Sequence, residues 1–329
     1  NTSGKVIMRI RKKVKFIDDY RRDKANRYAV VLAGGDGTRL RSITKAIAGD
    51  DRPKQFCSIL DEETLLDKTR HRTAREVPSE NTFFSLTRKH ERFYDSSLHD
   101  VPDRLKVIQP EARGTAPAIL YSLFRIAKTD PAATVAFFPS DHYFSDDHAF
   151  MAHVSSAFDM AKVNSSSIVL LGIEAEKPET SYGWIEPAPS LFGSLSKAVV
   201  RVKRFWEKPT AGVAKQLMDS GCLWNSFVMV GRVDTFLGMF QKHLPELYRM
   251  FAAASNLFGT SHESAVIRSI YDWIEDINFS SEVLEKCSDE LLVMRVSDVG
   301  WTDWGEPERV IGTLNSIGVQ PRWLQAMAA

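Results

Sequence analysis

From Tyr28 onward, short apolar runs alternate with helix-like segments, and this constrains the fold more than any other feature of the chain. "YAVVLA", "TVAFFPSDH" (134–142), "SIVLLGIEA", "SKAVVRVKRFWEKP", "NSFVMVGRV" and "ELLVMRVSD" read as strands. "GTAPAILYSLFRIAK" (114–128), "DHAFMAHVSSAFDMAK", "TAGVAKQLMDSG" and "ESAVIRSIYDWI" read as helices. "DTFLGMFQKHLPELYRMFAAAS" is helical with a break at Pro245, whose ring removes a donor and clashes with the preceding turn. Such alternation predicts an α/β fold with a mostly parallel sheet and helices on both faces.

The 329 residues contain neither an internal repeat nor a low-complexity linker, so one domain over 27–315 is the simplest division. It leaves a basic N-terminal arm (1–26) and a C-terminal tail (316–329). Residues 1–27 carry ten Lys/Arg and three Asp/Glu, a local balance of +7 against +1 for the whole chain. Ile7, Ile10, Val14 and Ile17 recur there at helical spacing, as on a solvated or partner-docking helix or a basic patch for anions. The near-neutral total argues against a nucleic-acid binder. Cys57, Cys222 and Cys287 are far apart with no CxxC, which predicts reduced thiols in a cytoplasmic protein. No run is long enough to span a membrane, and the basic N-terminus lacks the apolar core of a secretory signal. The chain begins with Asn, consistent with trimming.

In an open α/β sheet, ligands sit at the carboxyl ends of strands, so the polar strand ends belong together. After the first strand, Ala33, Gly34, Gly35, Asp36 and Gly37 form a loop nearly stripped of side chains, followed by Thr38 and Arg39. Leu40 stands where a dinucleotide fingerprint wants a third Gly, and GK[ST] is absent, so neither a Rossmann nor a Walker loop is present. What remains is a nest of backbone N–H groups suited to phosphate, with Arg39 as a bidentate partner, or else a tight strand-to-helix turn. Lys54 in "DDRPKQF" is a phosphate-binding point charge or a surface lysine. Asp141 in "FFPSDHYF" and Asp303 in "VGWTDWG" are Mg²⁺ ligands if both strand ends converge, or turn caps if they do not. "SYGWIEP", "RFWEKP" and "LWNSFVM" offer Gly183, Glu207, Lys208 and Asn225 to sugar hydroxyls and a phosphate, or to turns and the surface. Trp184, Trp206 and Trp224 fit a core better than a sugar platform.

"AGGDGTRL", "RPKQF", "QPEARGTAPAI", "FPSDH", "YGWI", "WEKP", "WNS" and "GWTDWG", in this order over about 28–310, resemble the sugar-1-phosphate nucleotidyltransferases. Within them the chain is most similar to the mannose-1-phosphate guanylyltransferases. The resemblance implies a GT-A-like, Rossmann-like three-layer fold with a mostly parallel mixed sheet. It implies Mg²⁺-assisted transfer of a nucleotidyl group from an NTP, best GTP, to a sugar 1-phosphate, best mannose 1-phosphate, releasing pyrophosphate. Carried over by position, Ala33, Gly34, Gly35, Gly37 and Thr38 cradle the triphosphate. Arg39 and Lys54 neutralise phosphate charge, and Gln109, Gly114 and Thr115 lie by the nucleoside. Asp141 and Asp303 hold Mg²⁺, and Gly183, Glu207, Lys208 and Asn225 receive the sugar phosphate. Another NTP or hexose 1-phosphate, or a catalytically silent nucleotide-sugar sensor, are the alternatives. A homodimer is the base-rate expectation.

The chain departs from the family pattern in four places. The stretch from Leu40 to Pro53 is longer than usual and lacks a Pro after the loop, which questions the placement of Lys54 and lets Arg52 share its role. Phe227 replaces the Gly of WNSG, with consequences for the sugar pocket. "NFSSEV" (278–283) lacks the family's Asp. The 26 residues after Asp303 are too few for the β-helical tail or fused isomerase domain of many relatives.

Overall fold

The computed structural model describes residues 24–189 and 199–328; most of the basic arm and the first residues of "SKAVVRVKRFWEKP" lie outside these. Among the described residues, nine strands form one sheet. They are β1 (Arg27–Leu32), β2 (Thr82–Thr87), β3 (Lys106–Gln109), β4 (Thr134–Pro139), β5 (Ile168–Glu174), β6 (Gly183–Pro187), β7 (Val199–Glu207), β8 (Leu223–Arg232) and β9 (Leu291–Val296). Their order is β3-β2-β1-β4-β8-β5-β9-β7-β6, and β6 also pairs with β8, so the second half of the sheet closes into a ring of pairings. Followed pairing by pairing, all strands run one way except β7 and β8. The sheet is therefore mixed and mostly parallel in strand direction.

β1, β4 and β5 are apolar almost throughout because both faces are covered. Alternate residues serve opposite layers, as the two-residue period of a strand requires. Val135 and Phe137 of β4, with Ile168 and Leu170 of β5, join one core with residues of the helices Thr115–Thr129, Val233–His243 and Pro245–Ala254. Ala136 and Phe138, with Val169 and Leu171, join a second core with the helix Asp147–Val163. The expected break at Pro245 is real, with Pro245 as the first residue of its own helix, where its missing N–H costs nothing.

A third, smaller core settles what the long stretch after the loop does. Residues Arg41–Ala48 form a helix closed by Gly49 at φ 75°. Its Ile43, with Leu40, packs on Trp304, Val310, Leu314 and Trp323. The Trp323 indole N–H donates to the Ile59 carbonyl at 3.0 Å. The extra length thus folds against the helices Pro307–Ser316 and Arg322–Ala328 and leaves the strand ends open.

Candidate active site

A cavity of about 350 Å³ opens beside the ends of β1, β3 and β4. Gly34, Gly35, Gly37, Gln109, Gly114, Thr115 and Asp141, all singled out in the sequence, line it. Ala33 is buried beneath, its N–H donating to Ser85 O at 2.8 Å. Gly34 must lack a side chain: a Cβ there would stand 2.9 Å from Thr87 Oγ1 and 3.0 Å from Gln109 Nε2. Gly37 turns the chain through φ 56° into the single turn Thr38–Leu40. Gln55 fixes the loop from below, its Nε2 donating to the carbonyls of Ala33 (3.1 Å) and Gly35 (2.8 Å). Gln55 also lines the cavity, so the same side chain that ties down the loop forms part of its wall.

Gln109 is nearly fully buried and supports the cavity wall more than it reaches into it. Its Nε2 donates to Ser85 Oγ at 3.1 Å, and its Oε1 accepts from Tyr271 OH at 2.9 Å. Gly114, at φ 79°, starts the helix Thr115–Thr129 and lies directly against Ile277. Thr115 Oγ1 accepts from the Phe279 N–H at 2.8 Å. The "NFSSEV" segment therefore packs on this helix start, and Asn278 caps its own short helix by accepting from Ser280 N at 2.7 Å.

Lys54 joins the two acidic strand ends despite the longer loop. It is buried, with Nζ 3.3 Å from Asp141 Oδ2, and it donates to the carbonyls of Asp303 (2.6 Å) and Trp304 (2.8 Å). Arg52 does not share this position: it pairs with Asp50 at 2.9 Å and lies over the Phe93 ring. Asp303 Oδ1 accepts from Arg309 (2.6 Å), Tyr182 OH (2.8 Å) and Gly305 N (2.9 Å). Burial opposes its ionisation, but the positive charges present at the low pH where it titrates, on His142 and then on Arg309 and Lys54, outweigh this and hold the carboxyl below its ordinary range. Arg309 is itself locked by Glu179 at 2.9 Å and Ser181 Oγ at 2.6 Å, above the Tyr182 ring. His142 lines the cavity with its ring 3.9 Å from Asp141, and its Nδ1 accepts from the Trp301 indole N–H at 3.2 Å. An indole can only donate, so the ring is neutral with its proton on Nε2. Burial pushes its pKa down to about 4.

Among the described residues no cluster of three or more His, Cys, Asp or Glu could hold a metal ion by itself. Lys54 brings the Asp141 carboxylate and the Asp303 backbone together; both side chains carry hard oxygen donors, Asp141 lining the cavity and all three hydrogen bonds to the Asp303 carboxylate falling on Oδ1. This set fits a hard divalent cation that completes its coordination with phosphate and water.

Arg39 is not at the cavity wall: it is more than half exposed and bound to Glu306 at 2.6 Å. Of the residues expected at the sugar, Gly183 faces Glu207 across the β6–β7 pairing, and Trp184 pairs with Trp224 next to Asn225. Glu207 is shielded, and burial raises its pKa despite Lys208 nearby at 3.8 Å. Lys208 is exposed, at φ 47°. Asn225 is buried and accepts from Phe227 N at 3.0 Å. Trp184 and Trp224 are buried core residues, as expected, and Trp206 is partly buried under Arg204. Phe227 sits at φ 59° and lines the cavity. Gln55 and His142 stood inside quoted motifs without a role. Arg309 stood outside them; the available signal was a lone Arg six residues beyond Asp303 at the start of a helix.

A family model described as nucleotidyl transferase matches residues 28–316. The alginate biosynthesis protein AlgA of Pseudomonas aeruginosa is 26% identical over 282 residues, covering 84% of this chain and 56% of that protein. A mannose-1-phosphate guanylyltransferase of Escherichia coli K12 is 26% identical over 288 residues, covering 84% and 58%. The chain thus spans little more than half the length of these curated relatives. A solved structure from Thermus thermophilus, named a mannose-1-phosphate geranyltransferase, superposes with a TM-score of 0.74 at 29% identity, over 87% of this chain and 79% of that one. A UDP-glucose pyrophosphorylase bound to UDP-glucose shares the fold at 14% identity, with a TM-score of 0.53. With eight ordered motifs, a glycine-rich loop at the end of β1 and two acidic strand ends bridged by Lys54, the chain belongs to the nucleotidyl transferase family.

Proposed function

We propose that the protein transfers a nucleotidyl group from GTP to mannose 1-phosphate, forming GDP-mannose and pyrophosphate. The observation that carries this reading is the Lys54 junction, which fastens the carboxylate of Asp141 and the backbone of Asp303 beside a glycine-lined cavity. The loop N–H groups of Gly34, Gly35 and Gly37 receive the triphosphate, and the nucleoside lies along Gln109, Gly114 and Thr115. The sugar phosphate enters from the side of Gly183, Glu207, Lys208 and Asn225. One of its phosphate oxygens, already anionic at neutral pH, attacks the α-phosphorus. The new P–O bond forms as the bond to the β-phosphate oxygen breaks in line, and pyrophosphate leaves with the electron pair. No general base is needed, so positioning and charge neutralisation do most of the work.

Asp141 and Asp303 would hold Mg²⁺. When bound, that ion neutralises phosphate oxygens and orients the reacting groups. Lys54 supplies fixed positive charge beside the same oxygens without desolvation at the moment of reaction. Arg39 reaches the phosphates by leaving Glu306, an exposed pair worth about 0–1 kcal/mol and so easily exchanged. Tyr182, Arg309 and the Gly305 N–H keep Asp303 ionised and pointed.

The test is pyrophosphate release with Mg²⁺, crossing ATP, GTP, CTP, UTP and dTTP with mannose 1-phosphate and glucose 1-phosphate, with Asp303→Ala as control. Release specific to GTP and mannose 1-phosphate, lost in the control, is the expected result. Release with another pair keeps the chemistry and corrects the substrates. Nucleotide binding without release from any pair refutes catalysis.

A further inference from the structure

The register between β5 and β8 jumps at the cavity. Leu170 pairs with Met229, but the next pair is Gly172 with Asn225. Leu171 alone therefore faces Ser226, Phe227 and Val228. Side chains replace the lost ladder bonds. Ser226 Oγ donates to Leu171 O at 2.6 Å and accepts from Val228 N at 3.2 Å, while Asn225 Oδ1 accepts from Phe227 N at 3.0 Å. Bulges of this kind turn a side chain out of the strand's alternation, often beside an active site. Here the turned residue is Phe227, at φ 59°. A bulky residue takes a left-handed backbone only at a cost, and such strain persists where the side chain's position matters.

One side of Phe227 packs on the core, while the residue also lines the cavity with Gly34, Gly114 and Asp141. The sheet order fixes what it separates. β8 pairs with β4, which leads to Asp141, and through Trp224 with β6, which begins at Gly183. Phe227 thus lies on β8 between the stretch that pairs with β4, on the glycine-loop side, and the Trp224 that pairs with β6, on the side of Gly183 and Glu207.

We infer that Phe227 is a specificity-determining residue, a steric wall that admits hexose 1-phosphates bearing bare hydroxyls and excludes those bearing an N-acyl group. This rests on the function proposed above. Its ring fills space that a glycine at the same φ would leave open, and the bulge keeps it from swinging away.

Phe227→Gly suits the left-handed backbone and opens the wall; Phe227→Ala opens it while retaining a Cβ; Phe227→Leu keeps the bulk. The assay compares kcat/KM for mannose 1-phosphate and N-acetylmannosamine 1-phosphate with one NTP, and the Kd of each sugar phosphate by calorimetry. Glycine and alanine variants should shift the ratio toward the acylated sugar by about tenfold or more, the scale on which a pocket reads a small group. The leucine variant should stay close to wild type. A ratio unchanged within about twofold in both opened variants overturns the inference. If wild type turns over no pair, the proposed function falls, and the calorimetric ratio alone decides Phe227. Equal ratios, or no binding to any of the proteins, then overturn it.

Discussion

Replacing Gly114 by alanine tests whether the cleft wall is as tightly built as its geometry states. Gly114 has φ 79° and ψ −176°, a region that residues other than glycine scarcely occupy, at about 1–3 kcal/mol. An added Cβ would lie 2.7 Å from Ile277 C and 2.8 Å from Ile277 N, with the carbonyl oxygen closer still. These are backbone atoms, so no rotamer change relieves the contact. Ile277 must retreat, and three hydrogen bonds retreat with it: Ile277 N to Arg113 O (3.1 Å), Ala116 N to Ile277 O (3.0 Å) and Phe279 N to Thr115 Oγ1 (2.8 Å). At about 1 kcal/mol each, with the backbone term, the loss is about 4–6 kcal/mol. That compares with about 5–15 kcal/mol for a whole domain. The assay is urea unfolding followed by circular dichroism. Gly212→Ala serves as control, because a Cβ there meets nothing within 4 Å and the helix gains up to about 1 kcal/mol. A loss below about 1 kcal/mol in Gly114→Ala would refute the reasoning.

Lys54→Met should lower turnover by about 10²–10³-fold in the pyrophosphate assay, and Lys54→Arg should not restore it, because a planar fork cannot occupy a pocket shaped for three convergent acceptors. Turnover in Lys54→Met within a few-fold of wild type would remove Lys54 from the catalytic groups. His142 gives a pH dependence of stability. Its folded pKa is about 4 and its unfolded value about 6.5, so it contributes nothing above about pH 6.5. Below that the unfolded chain takes the proton and the native state does not, so stability falls with pH by up to about 1.4 kcal/mol per unit until the folded value is reached. Asp141 and Asp303 favour the protonated ring and Lys54 and Arg72 oppose it, all facing His142. His142→Gln should flatten the slope of unfolding free energy between pH 6.5 and about 4.5, and an unchanged slope would show that the ring is not held neutral. The thiols of Cys57, Cys222 and Cys287 are buried and pushed up to about 12, 11 and 12, so a disulfide reagent at pH 8 should label none in the folded protein and all three in urea. Rapid labelling of folded protein would contradict their burial.

The central strands were legible because burial on both faces leaves them nearly free of polar residues, as in "YAVVL" and "TVAFFP". Pro245 marked a break for steric reasons that hold in any context. β2 and β3 were not read: "KVIQ" is too short to show a period, and "TFFSLT" looks strand-like only once β1 gives it a partner. The glycine loop, Lys54, Asp141 and Asp303 were legible as motifs. The pairing of Arg39 with Glu306, across 267 residues, follows from tertiary packing and leaves no trace in local spacing. The left-handed backbone at Phe227 was hidden for the opposite reason, since the residue type argues against that conformation.

The position of β9 carries a consequence for how the molecule is made. β9 lies inside the sheet, between β5 and β7, although it is the last of the described strands. The carbonyls that hold Lys54 follow it, at Asp303 and Trp304. A ribosome that has delivered the chain as far as residue 290 has produced every glycine of the loop after β1, but the sheet is still open along one internal seam and a buried ammonium still lacks its acceptors. Vectorial synthesis thus orders the events: the cleft can be completed only after β9 is inserted, so a nascent chain lacks it until the chain has emerged past Trp304.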